Sequence, residues 1–170
     1  RLLDSVGELI IPEGNSQNIE YTVEGGRPDS MNREKLLLLK SHGVNRISIN
    51  PQTMNQKTLS IIGRSHTPKQ TMDCFYTARD IGFRSINMDV IVGLPEEGED
   101  DAKYTMEQTE KLNPDNLTIH TLAIKRASLL KDSLMDYSFP DTQTAGRMLD
   151  VYQKGARNMG MVPYYLYRQK

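Results

Sequence analysis

The sequence predicts an α/β fold built on a parallel sheet, and three observations carry that prediction. Helical and strand signals alternate along the 170 residues, with strands recurring about every 25–45 residues, as right-handed βα crossovers require. The segment FRSINMDVIVG (83–93) ends in a nearly continuous apolar run, the pattern of a strand covered on both faces. The segment TPKQTMDCFYTARDIG (67–82) is punctuated as a helix at both ends, with Thr67 as N-cap, Pro68 as first helical residue and Gly82 just past the end. The sheet is then either an open doubly wound sheet or a barrel. A phosphate-binding glycine loop would favour the first, and neither GxGxxG nor GxxxxGK[ST] occurs.

The elements follow in order. Residues 1–10 repeat apolar side chains at helical spacing (Leu2, Leu3, Val6, Leu9, Ile10). NIEYTVEG (18–25) alternates as a strand, with Ile19, Tyr21 and Val23 on one face. NREKLLLLKSHG (32–43) is a helix capped by Asn32, with Glu34 in its first turn and Gly43 after it. NRISIN (45–50) is a strand, and NQKTLSIIG (55–63) a short helix closed by Gly63. After the helix 67–82 and the strand 83–93 comes EDDAKYTMEQTEKL (99–112), acidic in its first turn and with Lys111 in its last, which suits the helix dipole at both ends. DNLTIHTLA (115–123) is a strand. TQTAGRMLDVYQKGARNMG (142–160) is a helix weakened by internal glycines, and MVPYYLYRQ (161–169) a final strand.

Composition narrows the function classes. The chain is long enough for one domain with a real core. A net charge of −1 leaves no basic footprint for nucleic acid. No apolar run approaches the roughly 18 residues of a membrane helix, and the amino terminus has no secretory h-region. Cys74, the single cysteine, permits no internal disulfide, which fits a reducing cytoplasm, and cannot by itself supply a zinc or iron–sulfur site. It lies on the helix face of Ala78 and Ile81, so a packed thiol is expected rather than a nucleophile. His42, His66 and His120 lack metal-ligand spacing, and the acids from Glu96 to Asp101 read as the start of a helix.

In a parallel α/β barrel, function gathers at the carboxyl ends of the strands and in the loops after them. That rule ranks the residues. The first strand ends in Glu24, before Gly25-Gly26-Arg27-Pro28-Asp29. The second ends in Asn50-Pro51-Gln52, and Arg64 follows one short helix later. The third carries Asn87 and Asp89, and the fourth His120 and Thr121. Asp89 is the most informative, because a carboxylate inside an apolar strand must be paired or bind something. The spacing leaves open whether these residues are structural or bind a ligand.

Taken together, EGGRPD, RISINPQTMNQKTLSIIGRSHT, SINMDVIVGLPEE, LTIHTLAIKRAS and the ending PYYLYRQK resemble the oxygen-independent coproporphyrinogen III oxidase, or coproporphyrinogen dehydrogenase, family. These are radical S-adenosylmethionine (SAM) enzymes of haem biosynthesis, and the resemblance runs over nearly the whole chain. It implies a partial radical SAM (β/α)6 TIM-like barrel with SAM in its mouth. Glu24, Gln52, Arg64 and Asp89 match the family's SAM-contacting positions, with Arg64 placed to meet a SAM carboxylate. The reaction implied for the full protein is the conversion of coproporphyrinogen III to protoporphyrinogen IX through a 5′-deoxyadenosyl radical, with an electron donor as partner. A haem-trafficking relative, or a radical SAM enzyme acting on another substrate, would share the same motifs.

One departure is large. The CxxxCxxC motif that holds the [4Fe-4S] cluster is absent, and so is the glycine-rich stretch after it. Both are expected on the amino-terminal side of Arg1. The expectation is therefore a single domain, 1–170, that is the central and carboxyl-terminal part of a barrel and is inactive alone.

Overall fold

A computed structural model describes residues 3–5, 19–122 and 136–164. Within it, strands β1 (Thr22–Gly26), β2 (Arg46–Ile49), β3 (Ser85–Val92) and β4 (Asn116–Thr121) form one sheet in the order β1-β2-β3-β4, every pairing parallel. Helices α1 (Arg33–Ser41), α2 (Gln56–Ile61), α3 (Pro68–Ile81), α4 (Glu99–Leu112) and α5 (Thr142–Asn158) fill the connections and follow the last strand. Strand order that simply follows chain order, without a reversal, is barrel winding. A doubly wound sheet reverses its order at a switch point, and these four strands contain none.

The helices begin and end where local chemistry dictates. Asn32 Oδ1 accepts from Lys35 N at 2.9 Å and caps α1. At α3 the Thr67 hydroxyl accepts from Gln70 N while Gln70 Oε1 accepts from Thr67 N, and Gly82 closes the helix at φ 87°. At α4 Asp101 Oδ2 accepts from Gly98 N, and Asn113 ends the helix in the left-handed region. Each of these bonds satisfies an amide at the start of its helix, and at α3 the pair is reciprocal.

Polarity along the strands sorts the two faces of the sheet. Ile86, Met88, Val90 and Val92 of β3, with Ile47 and Ile49 of β2, are buried against the helices. One cluster joins Ile47, Ile49, Ile86 and Met88 to Leu36, Phe75, Ala78 and Leu112; a second joins Val90 and Val92 to Ala102, Met106, Met148 and Tyr152. The alternate residues lie on the opposite face in register: Glu24, Ser48, Asn87 and Asn116 form one row, and Asp89 and Thr118 the next. Asn87, Asp89 and Ile91 of β3 thus share the face opposite the helices, and the apolar run VIV spans both faces because Ile91 belongs to the polar one.

Two expectations change. Tyr21 lies outside the β1 ladder, although its carbonyl still accepts from Asn45 N and Arg46 N. Residues 161–164 have no regular structure where a final strand was expected, and 165–169 lie outside the described residues. Residues 3–5 are helical, as expected, while the rest of 1–10 is likewise outside.

Candidate functional site

The turn after β2 shapes the mouth of the sheet. Pro51 ends the strand ladder because it has no amide to donate. Gln52 then adopts φ 66° and makes an isolated parallel bridge to Val90. Its N–H donates to Asp89 O at 3.0 Å, and its carbonyl accepts from Ile91 N at 2.9 Å. A side chain in the left-handed region is uncommon outside glycine and costs about 1 kcal/mol. Here two backbone hydrogen bonds hold it beside Asp89. Gln52 is only 8% exposed, and its side-chain amide makes no hydrogen bond to the described residues.

Asp89 sits at the centre of a polar belt. Asn87 Nδ2 donates to Asp89 Oδ1 at 2.7 Å and to Ser48 Oγ at 2.9 Å. Ser48 Oγ donates to Asn50 Oδ1 at 2.8 Å, and Thr118 Oγ1 donates to Asn87 Oδ1 at 3.1 Å. The second Asp89 oxygen lies 3.6 Å from His120 Nε2, too far for a good hydrogen bond. One oxygen is thus fixed by the fold, while the other remains able to accept from a ligand.

Glu24 is exposed at the end of β1, in the same row as Ser48 and Asn87, and no described side chain pairs with it. Gly25 follows it where a bulge shifts the register, and a Cβ there would lie 2.8 Å from Ser48 O. Arg64, half-buried after α2, also lacks an ion-pair partner among the described residues. Its link to the mouth runs through His66, whose ring lies wholly buried with Nε2 3.2 Å from Pro51 O. Burial holds the His66 pKa below its usual value, and a carbonyl partner requires Nε2 to carry the proton. The structure therefore joins Gln52 to Asp89 directly and sets Glu24 in the adjoining row. It ties the Arg64 segment to the same turn without a direct contact from the guanidinium.

Sequence reasoning passed over Glu97. It was read with Glu96 to Asp101 as the start of a helix, but α4 begins at Glu99 and Glu97 is 4% exposed. Its Oε1 accepts from Thr53 Oγ1 at 2.6 Å and Asn55 Nδ2 at 3.1 Å. Burial pushes its pKa upward, against the pull of those hydrogen bonds. The available signal was an acid directly after the apolar strand and its GLP turn, ahead of the helix. Ser48 and Thr118 were also passed over, because small hydroxyl residues in strands carry no distinctive pattern.

The residues fit a zwitterionic, hydroxyl-rich ligand such as SAM. The mouth holds Gln52, whose side-chain amide makes no hydrogen bond to the described residues, and the carboxylates of Asp89 and Glu24, while Arg64, in the segment tied to the same turn, has no ion-pair partner among the described residues. They do not fit an iron–sulfur cluster. Cys74 is buried in α3 among Phe75 and Ala78, and burial pushes its thiol to about 11. Among the described residues no three His, Cys, Asp or Glu side chains converge as a metal site. No described helix is long and apolar enough to cross a membrane.

Comparison with known proteins bears on this geometry. A family model described as the radical SAM superfamily matches residues 4–109. The chain is 43% identical over 151 residues to an oxygen-independent coproporphyrinogen-III oxidase-like protein, HemZ, of Bacillus subtilis, covering 89% of this chain and 30% of that protein. It is 32% identical over 125 residues to the heme chaperone HemW of the same organism, covering 74% of this chain and 32% of the relative. The chain thus spans about a third of the length of these curated relatives. Among solved structures, coproporphyrinogen III oxidase (HemN) from Escherichia coli superimposes with a TM-score of 0.75 at 24% identity, over 84% of this chain and 33% of that one. An archaeal Elp3 from Methanocaldococcus infernus superimposes at 0.69 and 15% identity, over 79% of this chain and 32% of that one. Both likenesses speak to the fold.

Proposed function

Because the chain belongs to the radical SAM superfamily, whose members use SAM and a [4Fe-4S] cluster, we propose that its sheet is the SAM-binding wall of a tetrapyrrole-handling radical SAM enzyme. In this reading residues 1–170 are one part of a single barrel domain. Glu24, Gln52, Arg64 and Asp89 hold SAM, and the cluster ligands come from residues outside this chain. The observation that carries the reading is the Gln52–Asp89 backbone pairing, which brings Gln52 at the strand ends alongside Asp89, whose second carboxylate oxygen has no hydrogen bond to the described residues.

SAM supplies, when bound in an enzyme of this superfamily, a carbon-centred radical that abstracts hydrogen. The residues of this chain do the rest of the work assigned to them. Asp89 and Glu24 accept hydrogen bonds from hydroxyl or ammonium groups, Gln52 offers both a donor and an acceptor, and the Arg64 fork suits a carboxylate. The substrate we assign is coproporphyrinogen III, two of whose propionates would each lose a hydrogen atom, CO2 and one electron passed to an acceptor to give the vinyl groups of protoporphyrinogen IX in the cytoplasm, while a donor protein or small reductant would supply the electron that SAM cleavage requires. Support for it comes from the coproporphyrinogen-III oxidase-like relative. The heme chaperone relative favours a second reading, haem binding without turnover.

The full-length protein, prepared anaerobically with its cluster, separates the two. Vinyl-bearing product from coproporphyrinogen III supports the enzyme, whereas stoichiometric haem binding without product supports the chaperone. In either case Asp89→Ala or Gln52→Ala is expected to weaken SAM binding by about tenfold or more, the cost of a hydrogen bond to a charged or buried group. Unchanged SAM affinity in both variants would refute the assigned site.

A further inference from the structure

A buried polar cluster lies directly behind the cofactor-facing turn and takes no part in the site as assigned. Thr53 and Thr105 are fully buried and Glu97 nearly so. Thr53 has one hydroxyl proton, and the 2.6 Å contact spends it on Glu97 Oε1. The 3.1 Å contact between Thr53 Oγ1 and Thr105 Oγ1 must then be donated by Thr105. Thr105 Oγ1 in turn accepts from Met54 N at 3.1 Å, and Thr53 Oγ1 accepts from Asn55 N at 3.2 Å. Asn55 Nδ2 closes the circuit on Glu97 Oε1 and on Asp101 O at 3.3 Å. The Thr53 hydroxyl, the Met54 amide and the Asn55 side chain are therefore tied to the loop after β3 or to α4, and the Asn55 amide is tied to Thr53.

Gln52 lies between two clamps. On its strand side the bridge to Asp89 and Ile91 holds its backbone; on its loop side the next residue, Thr53, is held by Glu97. Both clamps belong to the continuous segment 89–97. We propose that Glu97 is a positioning residue that locks the Pro51–Asn55 turn, and with it the left-handed Gln52, into the conformation that faces the ligand. The inference rests on the reading of Gln52 as a SAM contact. It adds that the contact is preorganised by a carboxylate that touches no ligand. On the far side of the cluster Glu97 Oε2 and the Tyr152 hydroxyl on α5 are buried and make no well-formed hydrogen bond, with Thr58 beside the carboxyl and Thr105 beside the phenol. A donor from Tyr152 or one bound water would complete it.

The test uses the full-length protein with three variants, and reads SAM affinity together with amide hydrogen exchange in the absence of ligand. Glu97→Ala is expected to raise exchange at the Gln52, Met54 and Asn55 amides and to raise the SAM Kd by about tenfold. Glu97→Gln retains the acceptor and should return the Kd to within about threefold of the parent. Thr53→Ala removes the other end of the contact without changing charge, should reproduce Glu97→Ala, and decides the matter if that variant fails to fold. Leu36→Ala, a core truncation in the first cluster, lowers stability generally and should alter neither reading. Parent-like exchange at these amides in both Glu97→Ala and Thr53→Ala would overturn the proposal, as would an equal rise in Kd for Leu36→Ala. If exchange rises while Gln52→Ala binds SAM like the parent, Glu97 does lock the turn, and it is the assignment of Gln52 to SAM that fails.

Discussion

Gly155→Ala tests how closely α5 is set on α4. Gly155 is buried, and an ideal Cβ on it would press against Met106 Cγ while lying 2.6 Å from Sδ and 2.8 Å from Cε. Two opposed terms follow. Alanine is favoured over glycine in a helix interior by about 1 kcal/mol. Overpacking a filled core costs about 1–3 kcal/mol. Met106 is 3% exposed and is enclosed by Val90, Val92, Ala102, Met148 and Tyr152, so its whole side chain, not merely its tip, must move. That places the cost in the upper part of its range and predicts a net destabilisation of about 1–2 kcal/mol. Urea unfolding followed by circular dichroism should show a lower midpoint at constant slope. In a Met106→Ala background the clash disappears, and Gly155→Ala should then stabilise by about 1 kcal/mol. A Gly155→Ala change that stabilises equally in both backgrounds would show that the helices are not packed through this contact.

Two more predictions concern the mouth. Gly25→Ala would set its Cβ 2.8 Å from the backbone oxygen of Ser48. Backbone cannot yield as a side-chain tip can, so β1 should shift at the Glu24 bulge, with about 1–3 kcal/mol lost in urea unfolding; an unchanged midpoint would refute it. Burial raises the Glu97 pKa above its ordinary 4.5. Its favourable contribution is therefore complete below the unfolded value and is lost as pH rises through the higher folded value. Glu97→Gln removes that loss, so its stability relative to the parent should improve steadily as pH rises above about 4.5. Parallel stability profiles for the two proteins would show that Glu97 is not buried as described.

The elements with local punctuation were legible from sequence. Thr67, Pro68, Gln70 and Gly82 define α3 through bonds made within one turn, and α4 was bounded correctly at both ends by its own acids, Lys111 and the residue after it. Asp89 was legible for another local reason, because a carboxylate amid Ile, Met and Val demands a partner. Ser48, Thr118 and Glu97 were not legible. What distinguishes them is the register of a neighbouring strand or the depth of a loop, and neither leaves a periodic trace. The apolar run at the end of β3 spans both faces of the sheet because Ile91 lies on the polar face with Asn87 and Asp89. The inward direction of Ile91 follows from pairing with His120 across β4.

By itself, then, the sequence determined the alternation of elements, the helix ends and the short list of strand-end residues. Each depends on contacts within a few positions along the chain. Tertiary structure alone decided that the strands run in chain order as a barrel wall, and that Gln52 bridges to Val90 across 38 residues of chain. It also decided that Glu97 reaches back to Thr53 beneath that bridge. These are pairings between distant segments, stabilised when the apolar faces of β2 and β3 are buried together against α3 and α4, and no local pattern encodes them. The SINPQT turn shows the division most plainly. Its proline announces that the strand stops, but only the segment 89–97 folded against it holds Gln52 in a left-handed conformation beside Asp89.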